Sequence, residues 1–142
     1  MSESTVSEPS LSRFGIVTGS VLMVLAIVLG AFGTHLLQDR LDPARLVSFR
    51  SGVLYHQLHA IGLVLLGVIA AVSGESSALR WSARLMLVGV LLFSGSIYLL
   101  TAGFPRGLGM VAPIGGFSFM AAWLLLGVHG WRMRSQPDSG ST

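Results

Sequence analysis

The chain has 142 residues, which is enough for one domain. Its hydrophobic fraction is 52% and its charged fraction is 11%, whereas about 25% of the residues of a soluble domain are charged. The composition therefore excludes an ordinary soluble protein. Cysteine is absent, which excludes disulfides, thiolate metal sites and cysteine nucleophiles. The net charge is +3, but the arginines are scattered singly and form no basic patch, so we expect no nucleic-acid partner.

Four long stretches of the sequence contain no Asp, Glu, Lys or Arg. They lie between Arg13 and Asp39, Arg50 and Glu75, Arg84 and Arg106, and Arg106 and Arg132. Each stretch exceeds the roughly 20 residues that a helix needs to cross the hydrocarbon core. The sequence thus predicts an all-α integral membrane protein, an antiparallel bundle of four transmembrane helices in contact with the lipid bilayer. The expected spans are about 14–37, 51–74, 85–104 and 108–131.

The two ends of the chain differ in composition from the membrane domain, 14–132. Residues 1–13 form a polar leader and residues 133–142 a polar tail, and both are predicted to be disordered. Ala31-Phe32-Gly33 has the small-x-small pattern of a signal-peptide cleavage site. However, the leader carries two Glu and one Arg, and the apolar run is longer than the core of a signal peptide. We therefore expect the first span to be retained.

Small residues recur on one face of the first span and on one face of the fourth. In the first span they are Gly15, Gly19, Ala26, Gly30 and Gly33. In the fourth they are Gly109, Ala112, Gly116, Gly127 and Gly130, with Met120 and Trp123 completing the stripe. Small residues let helix backbones approach closely in lipid. Both stripes are therefore predicted to be helix-packing faces.

The connections between the spans carry recognisable signals. Asp42-Pro43 is a favourable helix start, so the second span either is long and protrudes or is preceded by a short interfacial helix that bends near Ser51-Gly52. The second connection places Trp81 and two arginines at a membrane interface, where such residues anchor helices. The third connection is short and predicts a hairpin of spans three and four. Pro113 either starts or kinks the fourth helix.

Orientation depends on a small difference in arginine number. One side of the membrane receives Arg13, Arg80, Arg84, Arg132 and Arg134, and the other receives Arg40, Arg45, Arg50 and Arg106. Four spans place both termini on the same side. The positive-inside rule then favours the cytoplasm for that side.

Most polar residues of the spans fall in one half of the membrane, near the first and third connections. This candidate polar cluster comprises His35, Tyr55, His59, Ser94, Ser96, Tyr98, Gly115 and Gly116. Tyr55 and His59 are four residues apart, share a helix face and are expected to point inward. His59 either is neutral and bonded to Tyr98, Ser94 or a carbonyl, or is a site residue. His35 and His56 are expected to be solvated near the surface.

Metal binding and catalysis have less support in the sequence. His35, His56 and His59 could supply three imidazole nitrogens, but no carboxylate within the spans could complete such a site. The chain contains neither G-x-S-x-G nor H-E-x-x-H. We therefore predict no metal site, no cofactor, no catalytic residue and no enzymatic activity.

Four motifs occur in order on the four spans: Gly30-Ala-Phe-Gly-Thr-His35, Tyr55 with His59, Leu92-Phe-Ser-Gly-Ser-Ile-Tyr98, and Pro113-Ile-Gly-Gly116. Together they resemble the YgdD/YwdK-type family of small uncharacterised inner-membrane proteins, a domain of unknown function that also has a small animal transmembrane relative. The resemblance covers about 14–132. It implies a multi-pass protein of the bacterial inner membrane, and it supplies no reaction and no catalytic residues. His56 is not part of the family pattern.

Three functions remain open on the sequence. The first is a binding or assembly module that packs against further copies of itself or a partner membrane protein. The second is a small carrier or proton-coupled conduit that uses His59, Tyr55 and Tyr98. The third is a site for a lipid, a quinone headgroup or a metal in the same half of the membrane.

Overall fold

The fold is taken from a computed structural model, which describes residues 10–133. Four antiparallel helices follow one another: α1 (Leu11–Leu37), α2 (Pro43–Ser73), α3 (Ser77–Thr101) and α4 (Arg106–Met133). Each is long and apolar enough to cross a membrane, and residues 10–133 contain no strand. The predicted all-α, four-helix membrane fold is therefore confirmed.

Side-chain caps fix where three of the helices begin. The Ser10 hydroxyl accepts from the Arg13 N–H, the Asp42 carboxylate accepts from the Arg45 N–H, and the Ser76 hydroxyl accepts from the Leu79 N–H. Each cap satisfies a backbone donor that has no partner within its helix. Pro43 occupies the first helical position of α2, which is the start that the Asp42-Pro43 pair predicts.

The helices extend beyond the spans expected from charge alone. α2 begins at Pro43, as the Asp42-Pro43 pair predicts, and continues without interruption through Ser51-Gly52, so the long second helix is the alternative that the structure has. α3 begins at Ser77 rather than near residue 85, so Arg80, Trp81 and Arg84 lie on a helix and not in a connection. Arginine stems lie along apolar surface while their guanidinium groups reach water, so a charged residue does not end a membrane helix. The 31 residues of α2 span about 46 Å at 1.5 Å per residue.

The predicted leader and tail overlap the ends of the described region. Leu11, Ser12 and Arg13 belong to α1 and Met133 belongs to α4, so these residues are helical and not part of a disordered segment. The rest of the two predicted segments, 1–9 and 134–142, lies outside the described residues.

Three helices contain irregular turns. α1 ends in a π-helical turn, Gly33–Leu37, and α3 contains a second π-helical turn, Val90–Ser94. α4 opens with a 3₁₀ turn, Arg106–Met110, before its α-helical part, Ala112–Met133. Pro113 is the second residue of that part, so it starts the regular helix and does not kink it.

α1 packs along α2 through direct backbone contact. A Cβ atom on Gly15 would lie 2.7 Å from the Leu63 carbonyl oxygen, and one on Gly67 would lie 2.8 Å from the Ile16 nitrogen. Gly19 approaches the Ala60 carbonyl in the same way, and Gly33 lies against the Phe49 ring. In the fold, the small-residue face of α1 is the surface that contacts α2.

α2 and α3 form the centre of the molecule, and α4 packs mainly on α3. Leu63, Leu66, Leu79 and Met86 are fully buried between the helices. The Ser82 hydroxyl donates to the Ala122 carbonyl at 2.8 Å, which joins α3 to α4. In the most apolar stretch of each helix, half of the residues of α2 are buried, compared with 17% of those of α1 and α4. The two outer helices therefore turn most of their surface to the membrane.

Polar contacts at both ends of the bundle hold the connections. At one end the Leu11 N–H donates to the Glu75 carboxylate at 2.6 Å, and the His129 ring lies within hydrogen-bond distance of Ser73 and Ser76. The start of α1 and the end of α4 therefore lie at the same end. At the other end the Arg45 guanidinium donates to the Leu100 carbonyl at 2.9 Å, which caps the carboxyl end of α3.

Candidate functional site

His59 lies near the middle of α2, and both of its ring nitrogens have partners. Its Nδ1 is 2.7 Å from the Tyr55 carbonyl oxygen, and its Nε2 is 3.1 Å from the indole Nε1 of Trp123. The indole N–H can only donate, so Nε2 accepts and the ring proton lies on Nδ1, which donates to the Tyr55 carbonyl. The network thus assigns one neutral tautomer and joins α2 to α4.

Aromatic rings surround this hydrogen bond. Phe119 stacks on the His59 ring with a centroid distance of 3.4 Å and an interplanar angle of 12°. Tyr55 contacts Phe93 at 4.7 Å and Phe119 at 6.1 Å between ring centroids. The Phe119 ring can lie this deep because Gly89 of α3 leaves room for it. The site is therefore an aromatic layer shared by α2, α3 and α4.

A groove opens from this layer towards the membrane. Its volume is about 980 Å³ and its lining is mostly apolar. We call it the α2–α4 groove, and it is lined by Tyr55, Leu58, His59, Phe93, Pro113, Gly116, Phe117, Phe119, Met120, Trp123 and Leu124. His59 and Phe119 form its floor, because their side chains are 4% and 3% exposed.

Tyr55 does not point inward as predicted. It is 41% exposed and lines the mouth of the groove. Within residues 10–133 its hydroxyl has no hydrogen-bond partner, although its backbone carbonyl accepts from His59. A spacing of four residues places two side chains on one face, but it does not decide how far each is covered by a neighbouring helix.

A second polar pair forms on the adjacent face of α2. His56 Nδ1 lies 3.2 Å from the Tyr98 hydroxyl of α3. His56 is 4% exposed, so the prediction of a solvated interfacial histidine is wrong. Its Nε2 has no hydrogen-bond partner among the described residues. Tyr98 is bonded to His56 and not to His59, so the expected polar cluster is divided into two.

The remaining residues of the predicted cluster have separate surroundings. Ser94 is fully buried and donates to the Gly52 carbonyl of α2 at 2.8 Å, whereas Ser96 donates to the Phe93 carbonyl of its own helix. Gly115 packs against the Phe93 backbone and Gly116 lines the open groove. His35 is exposed in the π-helical turn of α1, so it does not join the cluster.

The glycines of the predicted packing stripe of α4 face away from the rest of the chain, whereas Trp123 of that stripe donates to His59 of α2. Nothing lies within 4 Å of a Cβ atom placed on Gly116, Gly127 or Gly130, and Gly109 meets one Leu100 methyl at 3.7 Å. Ala112 is half-buried, and Met120 and Trp123 are 55% and 43% exposed. α4 instead contacts the other helices through a different face, which carries Gly115, Phe119, Ala122 and His129. Helical periodicity correctly grouped these residues on one face, but it did not show whether that face contacts the rest of the chain.

Sequence reasoning missed a polar contact at the opposite end of the bundle. His129 Nε2 lies 3.2 Å from the Ser73 hydroxyl and its Nδ1 lies 3.0 Å from the Ser76 hydroxyl. Ser73 donates to Ile69 and Ser76 accepts from Leu79, so Ser73 accepts from the histidine and Ser76 donates to it. The sequence offered one indication of this contact. Ser76 is the N-cap of α3, so its hydroxyl lies in the turn beside the end of α4.

Among the described residues, no group of three or more His, Cys, Asp or Glu side chains is arranged to hold a metal ion. The three histidines that could have formed one are separated. His35 is exposed on α1, His56 is paired with Tyr98, and His59 is paired with Trp123.

The fold and the site define a small multi-pass membrane protein. Residues 29–116 match the family model described as "Protein of unknown function (DUF423)", and the chain belongs to this family. It is 38% identical to the UPF0382 membrane protein SH2409 of Staphylococcus haemolyticus, over 78% of this chain and 89% of that one. It is 34% identical to the UPF0382 membrane protein YwdK of Bacillus subtilis, over 78% and 90%.

The UPF0382 inner membrane protein YgdD of Escherichia coli is 32% identical, over 87% of this chain and 93% of that protein. These relatives confirm the resemblance seen in the four motifs. No solved structure matches the chain.

Proposed function

We propose that this chain is a non-catalytic assembly module whose α2–α4 groove receives α4 of a second copy. The observation that carries the proposal is the groove itself, which is open to the membrane while the polar groups beneath it are bonded to one another. Its lining runs along α4 from Pro113 to Leu124, about 16 Å or three helical turns. An elongated apolar groove of this length suits the side chains of a helix.

The polar groups of the groove support binding rather than chemistry. Both nitrogens of His59 and the indole N–H of Trp123 are engaged, so none of them is poised to take a proton from a substrate. Among the described lining residues, this leaves the Tyr55 hydroxyl as the side-chain group able to bind a polar atom. A partner helix would therefore bring a hydrogen-bond acceptor opposite Tyr55.

The residues on the outer face of α4 support a second copy of this chain as the partner. Helix association in membranes favours small residues that allow close approach, and Gly116, Gly127 and Gly130 lie open on the outer face of α4. The same face carries Met120, which is 55% exposed, and Phe117 and Leu124 flank it at 68% and 72%. One face thus offers both the gaps and the projecting side chains that a self-complementary, two-fold interface requires.

Disulfide crosslinking in native membranes tests this proposal cleanly, because the chain has no cysteine of its own. We expect Phe117→Cys to give a crosslinked dimer upon mild oxidation. Val24→Cys on the outer face of α1 is the matched control, because Val24 is also strongly exposed at 60%. Absence of a dimer from Phe117→Cys, or equal dimer from both variants, would contradict the assembly.

A blocking variant separates the groove from α4 as a whole. Gly116→Leu should fill the groove without disturbing the fold, because its Cβ meets nothing within 4 Å. Combined with Phe117→Cys it should abolish the dimer, whereas Gly127→Leu, outside the groove lining, should reduce it less. An unchanged yield with Gly116→Leu would show that the groove is not the interface.

A lipid or quinone in the same groove is the second candidate. The aromatic rings of Tyr55, Phe93 and Phe119 and the unpartnered Tyr55 hydroxyl favour a flat molecule with a carbonyl group. Native mass spectrometry would then show a monomer with a bound mass that Gly116→Leu removes. The carrier hypothesis has less support, because Tyr98 is bonded to His56 and forms no chain with His59.

A further inference from the structure

A separate cavity lies at the end of the bundle where α1 starts and α2 turns into α3. Its volume is about 450 Å³. We call it the rim cavity, and it is lined by Ser10, Leu11, Phe14, Glu75, Arg80, Ala83 and Arg84. It is separate from the α2–α4 groove, because the two share no lining residue.

The rim cavity has more positive than negative charge among its described residues. Both oxygens of Glu75 have partners: Oε1 accepts from the Leu11 N–H at 2.6 Å and Oε2 lies 3.7 Å from the Arg80 guanidinium. Arg84 lies over the Trp81 ring at 5.3 Å and forms no ion pair with a described residue. The described lining thus carries two guanidinium groups and one carboxylate that is already engaged, and an anion would find donors on Arg84 and Arg80.

The walls of the rim cavity are polar in part and apolar in part. Arg80 and Arg84 of α3 are exposed, whereas Leu11 and Ala83 are buried and Phe14 is half-buried, so α1 and α3 also give the cavity an apolar wall. Trp81, which is 55% exposed, marks the interfacial level at which tryptophan is enriched. Basic pockets between transmembrane helices at this level bind anionic lipid headgroups.

From this arrangement we propose that the rim cavity is a headgroup site for an anionic phospholipid. Arg84 and Arg80 hold its phosphate by charge-assisted hydrogen bonds, and its acyl chain runs along Phe14. The apolar wall selects a lipid over free phosphate, and the excess positive charge selects an anionic headgroup over a zwitterionic one. Glu75 links the two helices, because it pairs with Arg80 and accepts a hydrogen bond from the first turn of α1.

The test is native mass spectrometry of the full chain, delipidated and then titrated with phosphatidylglycerol or phosphatidylcholine. We expect retention of phosphatidylglycerol, and a loss of about tenfold in apparent affinity in Arg84→Gln, since one charge-assisted contact is removed. Arg132→Gln is the matched control, because Arg132 lies in the last turn of α4 at the same end of the bundle. The control should bind as the original chain does.

Several outcomes would overturn the headgroup site. Equal retention of both lipids would remove the selectivity, and equal affinity in Arg84→Gln and Arg132→Gln would remove the site. Displacement of phosphatidylglycerol by inorganic phosphate alone would show a phosphate site without lipid specificity. Glu3 and Glu8 lie in the segment before Ser10. Binding that occurs only after Glu3→Gln and Glu8→Gln would show that those carboxylates, and not a lipid, bind in the cavity of the original chain.

Discussion

Trp123 of α4 donates its indole N–H to Nε2 of His59 on α2, across 3.1 Å and 64 positions of sequence. This bond joins α2 to α4. It also occupies the ring nitrogen that a proton conduit or a metal ion would need. The His59 ring is also covered by Phe119. The most suggestive histidine of the sequence thus links two helices beneath the groove.

Trp123→Phe should destabilise the bundle, because it leaves the buried Nε2 of His59 without a donor. We expect a loss of about 0.6–2 kcal/mol in the free energy of unfolding, the range of interhelical hydrogen bonds in membranes. The measurement is unfolding in mixed SDS micelles followed by circular dichroism. Trp131→Phe is the control, because Trp131 is 79% exposed. A loss of the same size in both variants would show that the effect is not due to the bond.

The two tyrosines of the chain allow stability to be separated from association. Tyr98→Phe removes the partner of His56 Nδ1 in a buried site, so we expect it to cost about 1–3 kcal/mol of unfolding free energy. Tyr55→Phe should leave the stability of the monomer unchanged and weaken the proposed dimer by a few-fold, on the order of one interhelical hydrogen bond. Unfolding and the monomer–dimer equilibrium in detergent measure the two effects. The same loss of stability in both variants would contradict this division.

Gly15→Ala and Gly67→Ala should separate α1 from α2. The new methyl groups would lie 2.7 Å from the Leu63 carbonyl oxygen and 2.8 Å from the Ile16 nitrogen, and backbone atoms cannot move aside as flexible side chains do. We expect each substitution to cost roughly 1–3 kcal/mol, the range for overpacking. Gly127→Ala is the control with open space around it. Normal stability in all three variants would show that the two backbones are less close than described.

Arg45→Gln should loosen the carboxyl end of α3. The Arg45 guanidinium donates to the Leu100 and Thr101 carbonyls in the last turn of α3, where carbonyls lack the regular helical donor; the Leu100 carbonyl also accepts from the Gly103 N–H at 3.2 Å. A cation at this position also interacts favourably with the helix dipole, by about 0.3–1 kcal/mol. Hydrogen exchange of the amides of 97–104 should be faster in Arg45→Gln than in Arg40→Gln. Equal protection in the two variants would argue against the cap.

The fold could be predicted because its main determinant is composition. Long charge-free stretches require four membrane spans, and Asp42-Pro43 and the glycines of α1 act through local rules that hold in any context. The start of α3 at Ser77 was not predicted, because an arginine such as Arg84 can continue a membrane helix into the interface as easily as it can end one.

The candidate site could be predicted only in part, because helical periodicity gives a face but not its neighbour. Tyr55 and His59 share a face, yet one lies at the mouth of a groove and the other on its floor. His56 is buried because α3 brings Tyr98 against it, a tertiary contact that leaves no signal in the spacing of α2. The stripe on α4 was predicted as a packing face, but periodicity does not identify the surface that packs on it, and its glycines Gly116, Gly127 and Gly130 have no neighbour among the described residues.

The pairing of α1 with α2 and of α3 with α4 also bears on how the molecule is made. Each pair is joined by a short turn, and its closest contacts, such as Gly15 with Leu63 and Ser82 with Ala122, form within that pair. A chain that enters the bilayer from its amino end can therefore complete one hairpin before the next is synthesised. In that order, the links between the hairpins, from Ser94 to Gly52 and from Trp123 to His59, would form last. Folding in this order needs few distant contacts at any stage, which favours rapid and reliable assembly.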